Sequence, residues 1–201
     1  MVAGERLKSP RARLFVAIDL PGAVRERISA WGEEELRDPA LRVVPRESLH
    51  ITLAFLGYVA EREVGRLGEI IAAGGDRAVR IELRDPVARP ARGRPRLFAL
   101  PAESAAAVEL QAELQERLVE ARLYKPEKRP FWPHITVARV RRPKAGSGPP
   151  PALSGPRLPL PKDLLQPFGG VRVTLYRSEL QPWGAQYTSL AQVELPEEGR
   201  Q

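Results

Sequence analysis

Apolar residues fall along the chain in blocks of two different periods. Arg13-Leu-Phe-Val-Ala-Ile-Asp19 is an almost unbroken apolar run closed by a carboxylate, which reads as a buried strand. Pro21 suits the first turn of a helix, and Val24, Ile28 and Trp31 carry that helix at 3.6-residue spacing to about Leu36. A short strand is predicted over 42–44, stopped by Pro45, and a strong one over 48–56, closed by Gly57. Val64, Leu67, Ile70 and Ile71 predict the inward face of a helix over 60–73, ended by Gly74 and Gly75. Strands are expected over 79–87 and 96–100, with the basic loop 89–96 between them. Ser104 is an N-cap for a helix to about Leu123, with Val108, Leu110, Leu114, Leu118 and Val119 as its apolar positions. A strand over 134–140 follows, and strands over 171–180 and 187–195 flank a turn at 181–184. Residues 143–161 contain seven prolines and three glycines, which excludes regular structure and predicts a surface loop or a linker. Residues 1–12 show no periodicity and are expected to be a flexible terminus.

Strands and helices therefore alternate in two comparable blocks, each ending in a strand that carries histidine. The expected fold is α+β: two pseudo-symmetric lobes in one domain, 1–201, each an antiparallel sheet with helices on its outer side, forming a central groove.

Composition changes this picture little. At 43% hydrophobic and 28% charged, the chain lies in the ordinary globular range. It has no cysteine, which excludes disulfides and a thiolate nucleophile. No apolar run approaches the roughly 18 residues of a bilayer span, and the run Leu14–Ile18 is too short for a signal-peptide core. A soluble, cytoplasmic monomer with no membrane partner is expected. The net charge is +7, and 27 of the 32 basic residues are arginine. Arginine grips phosphate with a planar fork, but a GC-rich genome also writes arginine for lysine, so charge supports a polyanionic substrate only weakly.

The candidate chemistry lies in the two histidines, the only ones present. Ser48-Leu-His-Ile-Thr-Leu53 and Trp132-Pro-His-Ile-Thr-Val137 carry the same tripeptide 84 residues apart. Side chains at i and i+2 of a strand share a face. His50 would then stand beside Thr52 with Leu49, Ile51, Leu53 and Phe55 on the opposite face, and His134 beside Thr136 with Ile135 and Val137 opposite. A lone strand histidine is more often structural, but accidental repetition of the tripeptide is improbable. Two histidines without cysteine or a nearby acidic cluster would leave a metal undercoordinated, so neither metal nor cofactor is expected. An imidazole titrates near neutrality and a threonine hydroxyl can donate to a phosphate oxygen. Two such strands facing each other would supply a base, an acid and two donors around one phosphorus, the set that hydrolysis of a cyclic phosphate needs. The near-symmetric motifs do not say which histidine is the acid.

Together these segments resemble the two-histidine phosphoesterase superfamily, and more narrowly the bacterial and archaeal RNA 2',3'-cyclic phosphodiesterases, also called LigT-like or 2'-5' RNA ligase proteins. Arg13–Pro21 is similar to that family's opening strand, Leu49–Gly57 and Pro133–Arg139 to its two motifs, and Leu175–Leu180 with Gly184 and Tyr187 to its closing hairpin. The resemblance implies hydrolysis of a terminal 2',3'-cyclic phosphate to a 2'-phosphate, with His50 as proton donor and His134 as acceptor. It implies phosphate binding by Thr52, Thr136 and Arg139, and a weak reversible 2'-5' ligation. RNA with a 2',3'-cyclic phosphate end, tRNA halves and nucleotides among it, would be the partner. Strand parity puts Arg139 opposite His134, so it reaches the site only past the strand end or beyond a bulge; a surface ion pair is its other reading. Phe55, Phe131, Trp132, Tyr176 and Tyr187 are candidates to stack on a base, or core residues. The 89–96 loop could track an RNA backbone or be a solvated loop. The alternatives are a non-catalytic RNA-binding protein and a phosphodiesterase acting on 2'-5' linked oligonucleotides.

Overall fold

A computed structural model describes residues 10–141, 153, 155–156, 159–181 and 184–197. Ten strands and three helices alternate: β1 (Arg11–Asp19), α1 (Gly22–Glu35), β2 (Leu41–Val43), β3 (His50–Ala60), α2 (Val64–Ala72), β4 (Arg80–Leu83), β5 (Val87–Arg89), β6 (Leu97–Glu103), α3 (Ala105–Glu120), β7 (His134–Val140), β8 (Phe168–Gly169), β9 (Arg172–Gln181) and β10 (Gly184–Glu194). Short 3-10 turns at Arg46–Ser48 and Glu61–Glu63 bracket β3.

All pairings among the described residues are antiparallel, as expected of the two lobes. One half runs β10-β9-β1-β3 and the other β7-β6-β4-β8, with β2 on β7 and β5 on β6. The halves meet where β3 pairs β7 at Ile51 and Ile135, both fully buried. Antiparallel register around that pair sets His50 beside Thr136 and Thr52 beside His134 on one face of the sheet. The other face packs Leu14, Val16 and Ile18 of β1, with Leu67, Ile71, Leu110 and Leu118 of the helices, into one core. Helix α2 lies against β9, β10 and α3. Gly75, just past α2, permits this approach, because a Cβ there would collide with Val193 Cγ2.

Several boundaries differ from the sequence expectation, each for a local reason. Strand β1 begins at Arg11, inside the expected flexible terminus, because Arg11 and Ala12 pair with Ala60 and Val59. Gly57 does not close β3: with φ +69° it lets the strand bend through a bulge and continue to Ala60. The strand expected over 79–87 splits into β4 and β5 around Asp85 and Pro86. Helix α3 is capped as expected, Ala107 N–H donating to Ser104 Oγ at 3.0 Å. It stops at Glu120 because Arg122 turns left-handed (φ 59°) and Leu123 N–H closes on the Leu118 carbonyl. Most of the proline-rich 143–161 segment, and the centre of the 181–184 turn, lie outside the described residues.

Candidate active site

Each histidine opens its strand with Nδ1 set against the carbonyl two residues before it. The 3-10 turn Arg46–Ser48 presents the Ser48 carbonyl, to which His50 Nδ1–H donates at 2.8 Å. Trp132, held before Pro133, presents its carbonyl to His134 Nδ1–H at 2.7 Å. Because a carbonyl can only accept, Nδ1 is the protonated nitrogen in both neutral rings and Nε2 is the one free to exchange a proton. His50 Nε2 lies 3.1 Å from Thr52 Oγ1, the hydroxyl two residues along the same face.

The strands then break parity at matching places. Opposite β1, Val16 pairs with Ala54 and Ala17 with Thr52, leaving Leu53 as an extra residue. Opposite β6, Phe98 pairs with Ala138 and Ala99 with Thr136, leaving Val137 extra. Leu53 with Ala54, and Val137 with Ala138, are consecutive buried pairs. The residue after each pair therefore turns to the histidine face. Arg139 comes to the histidine face by a bulge, one of the two routes that the sequence argument allowed. Phe55, expected on the buried face with Leu53, is corrected by the same device: it is 41% exposed, opposite Phe15, with the Arg13 guanidinium 4.5 Å over its ring.

The rings around the two imidazoles differ. His50 sits among Phe15 (centroids 5.0 Å), Tyr187 (5.5 Å) and Tyr176 (6.3 Å). His134 stacks on Trp132 at 4.2 Å, and the Arg89 guanidinium lies 4.2 Å over that indole. Among the stacking candidates, Tyr176, Tyr187 and Trp132 thus touch a histidine. Phe131 packs half-buried against the core. Phe15 and Asp19 look in the sequence like the core and end of a buried strand, and the lone signal of their role is a carboxylate closing an apolar run.

Burial lowers the pKa of both histidines, His50 to about 4. Their charged neighbours act in opposite senses. Asp19 favours the His50 imidazolium, whereas Arg139 and Arg89 both oppose that of His134. Arg139 and His134 also lower the His50 pKa, so the imidazoles and Arg139 share one small space. Asp19 is 8% exposed and accepts from Arg172 Nε (3.0 Å), Thr174 Oγ1 (2.9 Å) and Tyr176 Oη (2.7 Å). Burial and that hydrogen bond raise the Tyr176 pKa, holding it as a donor. Beside His50, Tyr176 and Tyr187 line a cavity of about 530 Å³ that also includes Arg139 and Arg42. Among the described residues no group of three or more His, Cys, Asp and Glu side chains could hold a metal ion, and no helix is long and apolar enough to cross a membrane.

Two histidine–threonine strands thus lie side by side on one sheet, with Arg139 brought to the same face, an arrangement able to hold a phosphate between two imidazoles. The sequence model of the 2'-5' RNA ligase superfamily matches residues 20–159. A Thermus thermophilus protein named RNA 2',3'-cyclic phosphodiesterase is 34% identical over 159 residues, 74% of this chain and 77% of that one. One of the same name from Methanocaldococcus jannaschii is 32% identical over 130 residues, 64% of this chain and 72% of the other. The crystal structure of the Thermus thermophilus protein TT0787 superposes with a TM-score of 0.74 at 30% identity, covering 92% of this chain and 99% of that one. That of Escherichia coli LigT complexed with 3'-AMP gives 0.71 at 26% identity, over 94% and 100%. The chain belongs to the 2'-5' RNA ligase superfamily, and it is a phosphodiesterase.

Proposed function

We propose that the protein hydrolyses the terminal 2',3'-cyclic phosphate of RNA to a 2'-phosphomonoester without a metal ion. Water attacks phosphorus opposite the 3'-oxygen. As the new P–O bond forms, the water proton passes to His134 Nε2. As the P–O3' bond breaks, His50 Nε2 gives its proton to the departing 3'-oxygen. Exchange with solvent then restores both rings. Thr52 and Thr136, each in register beside the other strand's histidine, donate to the non-bridging oxygens, and Arg139 offsets their charge. Each acid–base partner contributes on the order of 10²–10⁴ in rate.

The observation that carries the assignment is the unequal charge around two otherwise matched imidazoles. The acid must be an imidazolium, and only His50 has a carboxylate beside it, Asp19. The base must stay neutral, and the charged groups that act on His134 are the arginines 89 and 139. Burial, helped by Arg139 and His134, keeps His50 neutral at pH 7; an anionic phosphate set against Nε2, with Asp19 behind it, raises its pKa in the complex. A 5'-hydroxyl in the position of the water would give a 2'-5' linkage by the same proton transfers, which accounts for a weak reversible ligase activity. Tyr187 and Phe55 bound the terminal nucleoside.

The test is incubation of an oligoribonucleotide ending in 2',3'-cyclic phosphate, with and without EDTA, and identification of the phosphomonoester. A 2'-phosphate formed equally fast in chelator is expected. A 3'-phosphate, or activity lost with metal, contradicts the proposal. Binding with no turnover would favour an RNA-binding protein, and cleavage of 2'-5' linked oligomers alone would favour the sibling diesterase.

A further inference from the structure

Beyond the histidines, the far end of β7 collects arginines. Arg42 stands opposite Arg139 across the β2–β7 ladder, and Leu97 faces Arg139 from β6. Arg141 Nε donates to the Leu41 carbonyl at 3.1 Å, and Val140 N–H donates to the Arg96 carbonyl at 2.9 Å. These contacts gather Arg42, Arg94, Arg96, Arg139 and Arg141 around a cavity of about 860 Å³. No carboxylate is among its described lining residues, and none of the five forms an ion pair with a carboxylate among the described residues. By contrast, arginines elsewhere on the surface, such as Arg77, Arg84 and Arg172, are each bonded to acidic partners. Five unneutralised guanidinium groups around one hollow repel one another, and a polyanion relieves that repulsion.

The hollow is also continuous with the active site. Arg42 and Arg139 line both it and the smaller cavity that Tyr176 and Tyr187 bound beside His50. Positive charge therefore leads from the reacting phosphorus outward to Arg94 and Arg96. We infer that this arginine surface is a subsite for the phosphodiester backbone 5'-ward of the cyclic end, in which Arg94 and Arg96 set the preference for a strand over a nucleoside cyclic phosphate. The inference rests on the proposed cyclic-phosphate reaction and adds what holds the rest of the strand. A free polyphosphate offers the same anions but would have no reason to be joined to a group at the histidines.

The test compares kcat/KM for a nucleoside 2',3'-cyclic phosphate and for a decanucleotide with the same end, from low to high salt, in the wild type and in Arg94→Gln/Arg96→Gln. Each backbone phosphate held adds roughly −0.7 to the slope of log affinity against log salt for a single strand. The decanucleotide is expected to be the better substrate at low salt and to have the steeper slope. The double variant is expected to lose on the order of ten-fold on the decanucleotide, with a shallower slope, and to turn over the nucleoside as before. Equal kcat/KM and equal slopes for both substrates in the wild type, or equal losses on both in the variant, overturn the inference. Should neither substrate react, the hydrolase reading fails by itself. Fluorescence anisotropy of the labelled decanucleotide then still decides this one: weaker binding by the double variant upholds it, and unchanged binding overturns it.

Discussion

Asp19 stands directly across the β1–β3 ladder from His50, and Pro101 holds the matching place across β6–β7 from His134. The two halves otherwise repeat closely: Ala17 faces Thr52 as Ala99 faces Thr136. On the proposed mechanism this carboxylate is what suits His50 to hold a proton and leaves His134 to take one. Asp19→Asn keeps the size of the side chain and removes the charge. It should lower kcat by on the order of ten-fold or more and move the alkaline limb of the pH–rate profile to lower pH, because His50 then releases its proton sooner. An unchanged profile would show that Asp19 only braces Arg172, Thr174 and Tyr176.

Both imidazoles should titrate below the ordinary histidine value of about 6.5, His50 near 4. Proton or nitrogen NMR of the two ring signals measures this directly, and inorganic phosphate should shift the His50 titration upward. Since kcat/KM reports the free enzyme, its bell on a nucleoside cyclic phosphate should peak on the acid side of 6.5. It should fall as pH rises, when the donor is lost, and fall again at low pH, when the acceptor is protonated. Stability follows the same shifts. Between the unfolded histidine pKa and about 4, the unfolded chain binds a proton that native His50 does not. Stability should therefore decrease as pH falls through that window, a trend visible in urea melts and diminished in His50→Gln.

Ile51 and Ile135 join the halves of the sheet at its single β3–β7 residue pair. Both are fully buried in the core. Ile51→Ala should cost about 2–5 kcal/mol and Ile51→Val about 0.5–1.5 kcal/mol. If the pair also sets the distance between the histidines, the milder variant should lose more activity than its stability loss explains. Denaturant melts beside single-turnover rates check both.

Arg139→Ala should lower kcat by on the order of 10² and weaken inhibition by inorganic phosphate, while leaving the fold intact, because the residue is exposed and outside the core. A loss confined to KM would place it in substrate binding alone.

Much of this site was legible along the chain because period-2 alternation puts His-x-Thr on one face whatever the rest of the fold does. The same rule misplaced Phe55, since the extra residue at Leu53 is a matter of pairing with β1 and leaves no mark in the local pattern. Arg139 raised the same difficulty, and the bulge at Val137 resolves it. Helix faces were readable at Leu67 and Ile71 and at Leu110, Leu114 and Leu118, but Val108 and Val119 of that apolar set are exposed. What stayed hidden was long-range. Phe15 reads as core until β9 and β10 bring Tyr176 and Tyr187 around it. Arg42 carries no signal until β2 lies beside β7.

The central claim, that imidazoles from the two halves act together on one phosphorus, is tested most directly by single-turnover rates on a cyclic-phosphate oligonucleotide for His50→Ala, His134→Ala and the double variant. Each single variant should lose on the order of 10²–10⁴ in rate, and the double variant little more than the worse single one, because the two transfers serve the same transition state. Near-wild-type turnover by either single variant would contradict the account.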